Sequence, residues 1–293
     1  MSSNRNGLTI SMIFEASSAN YGEGIGNISQ LKKITKGNGN VYTYISRQAL
    51  RYNMMQQLGW DNTPVENNGV VQFASGAKIS EYPEIDLFGY MKTSKKDDSG
   101  SKGTQKVRSA VVRLSNAVSL EPYNSEMDFL TNAGMSARGK KLENAIAQSE
   151  IHMSLYAYTV TIDLDRVGKD ENDNIEISAD EKADRVIKFL EVLQFLWRDI
   201  KGRRENLSPI FAVGGVYERK NPYFESRLEL NKDKLNLKII NDTINSCNDA
   251  KEHSVAGVLS GKFGNSEEIE SFAKLTVSEM FDKIKKEVKE YYA

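Results

Sequence analysis

The chain has 293 residues, with 39 Lys and Arg against 40 Asp and Glu and a formal charge of −1. That balance excludes nucleic-acid affinity driven by the overall field, so an anionic partner must be held by local clusters of cations. The single cysteine, Cys247, excludes an intrachain disulfide and a multi-cysteine zinc site.

An apolar fraction of 39% is enough for a real core. No apolar run of about 18 residues occurs and the first residues hold no sustained apolar stretch, so a soluble cytoplasmic protein with no membrane partner is expected.

Residues 8–16 (LTISMIFEA) are apolar and β-branched and end in the small, polar, glycine-rich run SSANYGEGIGN, which predicts a strand followed by a surface loop. The stretch YISRQALRYN at 44–53 opens the first helix. Ser46 fits the N-cap, Ala49, Leu50, Met54 and Leu58 recur at helical spacing, and Gly59 stops the run. Arg47 and Arg51 stand four residues apart near a helix N-terminus that itself prefers anions, an arrangement that asks for a negative partner.

Residues 61–150 are less regular. Within them 92–106 lack an apolar anchor and are expected to be a disordered loop, 107–120 read as a strand, and Arg138-Gly-Lys-Lys141 reads as a solvated basic loop. Residues 151–164 (IHMSLYAYTVTIDL) are apolar on both faces and predict a central strand. Ser178-Ala-Asp-Glu181 has the capping-box pattern, and Val186, Phe189, Leu190, Leu193, Leu196, Trp197 and Ile200 extend a helical stripe to residue 200. KGRREN follows, then the strand SPIFAVGGVY, and a helix over 267–291 closes the chain. The order strand, helix, strand, strand, helix, strand is that of the α+β ferredoxin-like and RNA-recognition-motif folds.

Catalytic readings find little support. Gly22-Glu-Gly-Ile-Gly26 has the wrong spacing for a dinucleotide site, and Ser260-Gly-Lys-Phe263 lacks both the upstream glycine and the Ser or Thr of a phosphate loop. His152 and His253 lie about a hundred residues apart without partners in sequence; a hydrogen-bonded structural role is the simpler reading of His152. The acids Asp163, Asp165, Asp170 and Asp173 show no EF-hand spacing. No cofactor is implied.

Basic groups beside glycine are the better signal, because glycine lets a backbone approach a phosphate and Arg offers a planar fork of donors. Lys201, Arg203, Arg204 and Asn206 make one such group, although helix C-capping accounts for one or two of these cations without a ligand. Ser46, Arg47, Gln48 and Arg51 make the other, and there an exposed helix face is an equally good account. The Tyr156 and Tyr158 pair reads as core, and no aromatic RNA-recognition octamer is found.

The segment ending FEASSAN, its glycine-rich loop and VYTYISRQALRYN closely resemble the DevR-type backbone subunit of type I-B CRISPR Cascade, in the repeat-associated RNA-binding superfamily. RSAVVRLSNAVSLEPY and KGRREN-xx-PIFAVGG fit the same family, and the resemblance spans most of 8–217. It implies a modified RNA-recognition-motif palm with a finger-type insertion at 61–150 and a thumb-like extension; residues 218–266, which no family motif covers, are read as that thumb-like or irregular extension, ahead of the C-terminal helix at 267–293.

It also implies a non-enzymatic subunit that stacks head to tail along CRISPR RNA beside other Cascade subunits, presenting the spacer to target DNA. The guide contacts it transfers are Asn20, Ser46, Gln48, Arg51, Arg203, Arg204 and Asn206; Arg47 and Lys201 are added from charge and position. Related type III subunits cut RNA with a loop aspartate, and the loop after the first strand here carries Glu23 but no Asp. The alternatives are a metal- or histidine-dependent endoribonuclease using His152 or Asp165, and a DNA-binding autoregulator, for which no helix-turn-helix is recognisable.

Overall fold

The computed structural model describes residues 5–22, 24, 26–67, 69–93, 105–139 and 143–293. The expected loop at 92–106 falls largely on residues outside that set, as do Glu23, Lys140 and Lys141.

The chain folds as an α+β protein around an antiparallel sheet of eight strands: β1 (Gly7–Ala16), β2 (Lys33–Thr35), β3 (Val41–Ile45), β4 (Val112–Leu114), β5 (Ala117–Ser119), β6 (Ser154–Asp163), β9 (Phe211–Tyr217) and β10 (Val255–Val258). Between β6 and β9 the strands β7 (Trp197–Ile200) and β8 (Arg203–Asn206) form a separate hairpin. The sheet order is β10-β9-β1-β6-β5-β3-β2, with β4 also on β6.

β1 lies at the centre because from Gly7 to Phe14 neither of its faces meets water. Leu8, Ile10, Met12 and Phe14 face one core and Ile13 the other, while the alternate polar residues are satisfied internally: Ser11 and Thr159 share a 2.7 Å hydrogen bond. It pairs with β6 from Gly7↔Asp163 to Ala16↔Ser154, but with β9 only as far as Ile13↔Phe211. The last turns of its β9-side edge are therefore left for the hairpin. Close approach of β9 needs its glycines, since a Cβ on Gly214 would stand 2.0 Å from the Thr9 carbonyl oxygen.

Three helices cover the first face: α1 (Arg47–Leu58), α2 (Ala179–Gln194) and α3 (Val277–Tyr292). They bury Leu50 and Met54, Phe189 and Leu190, and Phe281 and Ile284 respectively, each fully buried large side chain contributing about 1.5–3 kcal/mol. Residues 223–273 cover the second face with Phe224, Leu235, Ile240 and Ile269. Tyr156 and Tyr158 are in the first core, at 0% and 2% exposure. Among the described residues no helix is long and apolar enough to cross a membrane.

Several expectations change. The second helix stops at Gln194 instead of residue 200, because 197–200 leave the helix to pair with 203–206. The closing helix is two, Ser266–Ala273 and α3, broken by Lys274 at φ 59° and restarted by a reciprocal capping box of Thr276 and Glu279. Inside the expected 61–150 insertion, β4 and β5 belong to the central sheet, whereas Tyr90–Thr93 and Gln105–Arg108 pair with each other away from it.

Lys92 is buried in that pair, over the Tyr90 ring at 3.9 Å. This part of the chain is tied to α2 by Asp86, which is 0% exposed and receives Arg108 at 2.7 Å, Arg185 of α2 at 2.8 Å and the Gly168 amide at 2.9 Å.

Candidate nucleic-acid interface

The loop after β1 gathers the candidate residues. Ser46 caps α1 by accepting from the Ala49 amide, and donates its hydroxyl to Asn20 Oδ1 at 2.6 Å. The Arg47 amide donates to Asn116 Oδ1 at 2.9 Å. Side-chain oxygens of two asparagines thus occupy the place at the helix N-terminus where the sequence invites an anion. The Gln48 side chain is exposed.

Arg51 has its negative partner within the chain. Its Nη2 donates to Glu84 at 2.8 Å and its guanidinium lies over Phe88 at 4.6 Å. The helical pair of arginines is thereby split: Arg51 is neutralised, and the exposed Arg47 side chain has no partner among the described residues.

KGRREN is the turn and second strand of the β7–β8 hairpin, not a helix terminus. Lys201 and Gly202 have φ of 49° and 78°, both positive as a two-residue type I′ turn requires. Cross-strand pairs then share faces: Arg198↔Glu205 and Ile200↔Arg203 on one, Trp197↔Asn206 and Asp199↔Arg204 on the other.

The inner face is bolted to the loop after β1. Glu205 receives Arg198 at 2.8 and 2.6 Å through its Oε2, and its Oε1 accepts the Ser17 and Ser18 amides at 2.8 and 3.2 Å. Arg203 donates to the Ser17 and Ser18 hydroxyls at 3.1 and 2.6 Å and lies 3.6 Å from the same Glu205. One carboxylate faces two guanidiniums, so a positive charge remains uncompensated there. Lys201 adds another, meeting among the described residues only the Ser29 hydroxyl at 3.3 Å and the Tyr21 ring at 4.6 Å.

On the outer face Arg204 is held by Asp199 through two bonds of 2.9 and 3.0 Å, and Asn206 accepts from the Ser208 amide at 2.9 Å. The Arg204 hydrogen bonds keep the Asp199 carboxyl below its usual range.

Asn20, Ser46, Lys201 and Arg203 thus converge on residues 17–21, with Arg47 next to Ser46; Arg51, Arg204 and Asn206 point elsewhere or are already engaged. Sequence reasoning missed Glu205, Arg198 and the two serines. The signal available was an acid between two arginines and an asparagine, which a hairpin reading would have placed on the opposite face from Arg204.

His152 is buried, bonded through Nδ1 to the Thr43 hydroxyl at 2.8 Å, and burial lowers its pKa. It precedes β6 whereas Asp165 follows it, and a ten-residue strand keeps its ends roughly 30 Å apart. The two do not share a site. Asp165 pairs with Lys220 at 2.6 Å. Among the described residues no group of three or more His, Cys, Asp or Glu is gathered to hold a metal ion.

Fold and site together define an α+β protein with an antiparallel sheet and a cationic cluster at one end of its central strand. Residues 8–237 match the family described as CRISPR-associated negative auto-regulator DevR/Csa2, and the chain belongs to that family. It is 30% identical over 152 residues to the CRISPR-associated protein Cas7/Cst2/DevR of Myxococcus xanthus (strain DK1622), a match that covers 47% of this chain and 50% of that protein.

Its fold resembles a chain of a CRISPR RNA-guided surveillance complex, with a TM-score of 0.60 and 15% identity over 96% of this chain and 99% of that one. A pre-nicking form of such a complex gives 0.61 and 14% over 96% and 100%.

Proposed function

We propose that this protein is a backbone subunit of a Cascade-type CRISPR effector: it binds the phosphates of CRISPR RNA, associates with copies of itself head to tail, and leaves the spacer free to pair with target DNA. The observation that carries the reading is the pair of cations Lys201 and Arg203 at the loop after β1, with the exposed Arg47 next in sequence to the Ser46 that bonds Asn20 of that loop, in a chain of the DevR/Csa2 family. Its cations meet mostly neutral groups, as a phosphate site requires before its ligand arrives.

A modified RNA-recognition palm is supported by the sheet, where β9-β1-β6-β4 or β5, with α1 after β1 and α2 after β6, follows the split β-α-β order. Residues within 61–150 act as the finger region, and the 218–266 extension backs the palm.

Association between copies is supported by apolar surface that the chain leaves open. The antiparallel arm Glu126–Thr131 and Ile146–Ile151 exposes Phe129, Leu130, Met135 and Ile146, and the insertion exposes Val65, Val71, Met91 and Val107. The burial of His152 and its distance from Asp165 support binding over cleavage as the role, in the cytoplasm beside other Cascade subunits and without a cofactor.

The test is purification from cells that also express the neighbouring genes, reading the 260/280 nm ratio and the particle mass. A large particle with RNA of uniform length is expected. A nucleic-acid-free monomer that degrades added RNA, or that prefers a duplex promoter, overturns the proposal. In the purified chain Lys201→Ala with Arg203→Ala should weaken binding alike across RNA sequences and lower the slope of log affinity against log salt by about 1.4.

A further inference from the structure

The outer face of the β7–β8 hairpin is built differently from the inner one. Trp197, 36% exposed, lies directly across from Asn206, and its ring is covered by the Arg204 guanidinium at 3.9 Å. Asp199 fixes the plane of that guanidinium by taking its Nε and Nη2 donors. The Trp197 backbone is pinned in turn to α1, its carbonyl accepting from Gln57 Nε2 at 2.6 Å and its amide donating to Gln57 Oε1 at 3.4 Å.

Nothing in core packing requires this arrangement, since the Arg204 and Asp199 side chains are 64% and 63% exposed. An exposed ion pair of this kind adds little to stability. What the arrangement supplies is a flat, preformed guanidinium surface backed by an indole and facing solvent, beside an open depression of about 530 Å³ lined by residues 199–204.

Charge separates two roles for Arg204. A phosphate anchor needs free charge and free donors, as Arg203 and Lys201 have. Arg204 has spent its charge on Asp199, yet the face of its guanidinium away from Trp197 remains available, and guanidinium planes stack on unpaired bases. We propose that Trp197 and Arg204 form a stacking platform for one unpaired nucleobase of the bound RNA, with the adjacent Lys201 and Arg203 holding its phosphates. The platform rests on the RNA-binding reading, and it assigns to Arg204 base contact in place of the phosphate contact expected from sequence.

The experiment titrates the full chain with two single-stranded probes of equal length, a uniform adenosine RNA and an abasic ribose-phosphate strand, at several salt concentrations. Trp197→Ala and Arg204→Lys should each weaken binding of the adenosine strand at least about fivefold, the lower end of what a stacked base contributes. Both should leave the abasic affinity and the salt slope unchanged. Arg204→Lys is the decisive variant because it keeps the charge and removes the plane.

Wild-type affinity in Arg204→Lys, or an Arg204→Ala variant that weakens both strands equally with a shallower salt slope, would make Arg204 a phosphate contact and overturn the platform alone. Wild-type protein that binds neither strand would overturn the RNA-binding reading together with the platform.

Discussion

The two faces of the β7–β8 hairpin carry the same chemistry to opposite ends. Inside, Arg198 and Glu205 are 5% and 8% exposed and fasten the hairpin to the loop after β1; outside, Arg204 and Asp199 are more than 60% exposed and fasten nothing. Burial makes the difference. A carboxylate removed from water must have every oxygen satisfied, and Glu205 has five hydrogen-bond donors around it, whereas Asp199 stays open to water and uses Arg204 as one partner among many. An arginine beside an acid is therefore architecture in one place and recognition surface in the other.

The contrast can be broken most severely where burial is complete. Asp86→Ala leaves the Arg108 and Arg185 guanidiniums in the interior without their shared carboxylate and should cost about 3–5 kcal/mol, read as a shift of the urea midpoint. A loss below about 1 kcal/mol would mean that water or Glu181 replaces Asp86 and that residues 83–88 and 105–108 are not held by this cluster.

Glu205→Gln tests the hairpin's inner face. The amide keeps the shape but not the charge that compensates Arg198, so about 2 kcal/mol of stability should go, and RNA affinity should fall with it as Arg203 loses its fixed setting. Unchanged stability would show that the serine hydroxyls suffice to seat the hairpin.

The smallest effect on stability belongs to Asp199→Asn, for which the midpoint should not move. Its signature is electrostatic: releasing the Arg204 charge should steepen the salt dependence of RNA binding by about 0.7 in the log–log slope. An unchanged slope would mean that RNA does not pass within reach of the outer face.

Much of the local structure was legible. Ser46 and Gly59 bound α1 because a cap acts within one turn, and Ser178 starts α2 for the same reason. The end of α2 was misread because Leu196, Trp197 and Ile200 continue the helical spacing. What overrode that spacing was Lys201-Gly202, whose positive φ values close a hairpin that buries Arg198 on Glu205. Lys182 and Arg185 on the buried side of α2 were likewise illegible, since a hydropathy stripe assigns charged residues to water.

The sequence by itself determined the alternation of strand and helix around β1 and the presence of two basic groups, because periodicity and capping depend on neighbours three or four residues away. Only the tertiary structure decided which of those cations remain free. Arg51 meets Glu84 33 positions along the chain, Arg185 meets Asp86 across 99, and Arg203 has only a share of the Glu205 already held by Arg198, with serine hydroxyls besides. Charge is a property of residues; its neutralisation is a property of distance in space, and Coulomb attraction at under 3 Å outweighs any ordering along the chain.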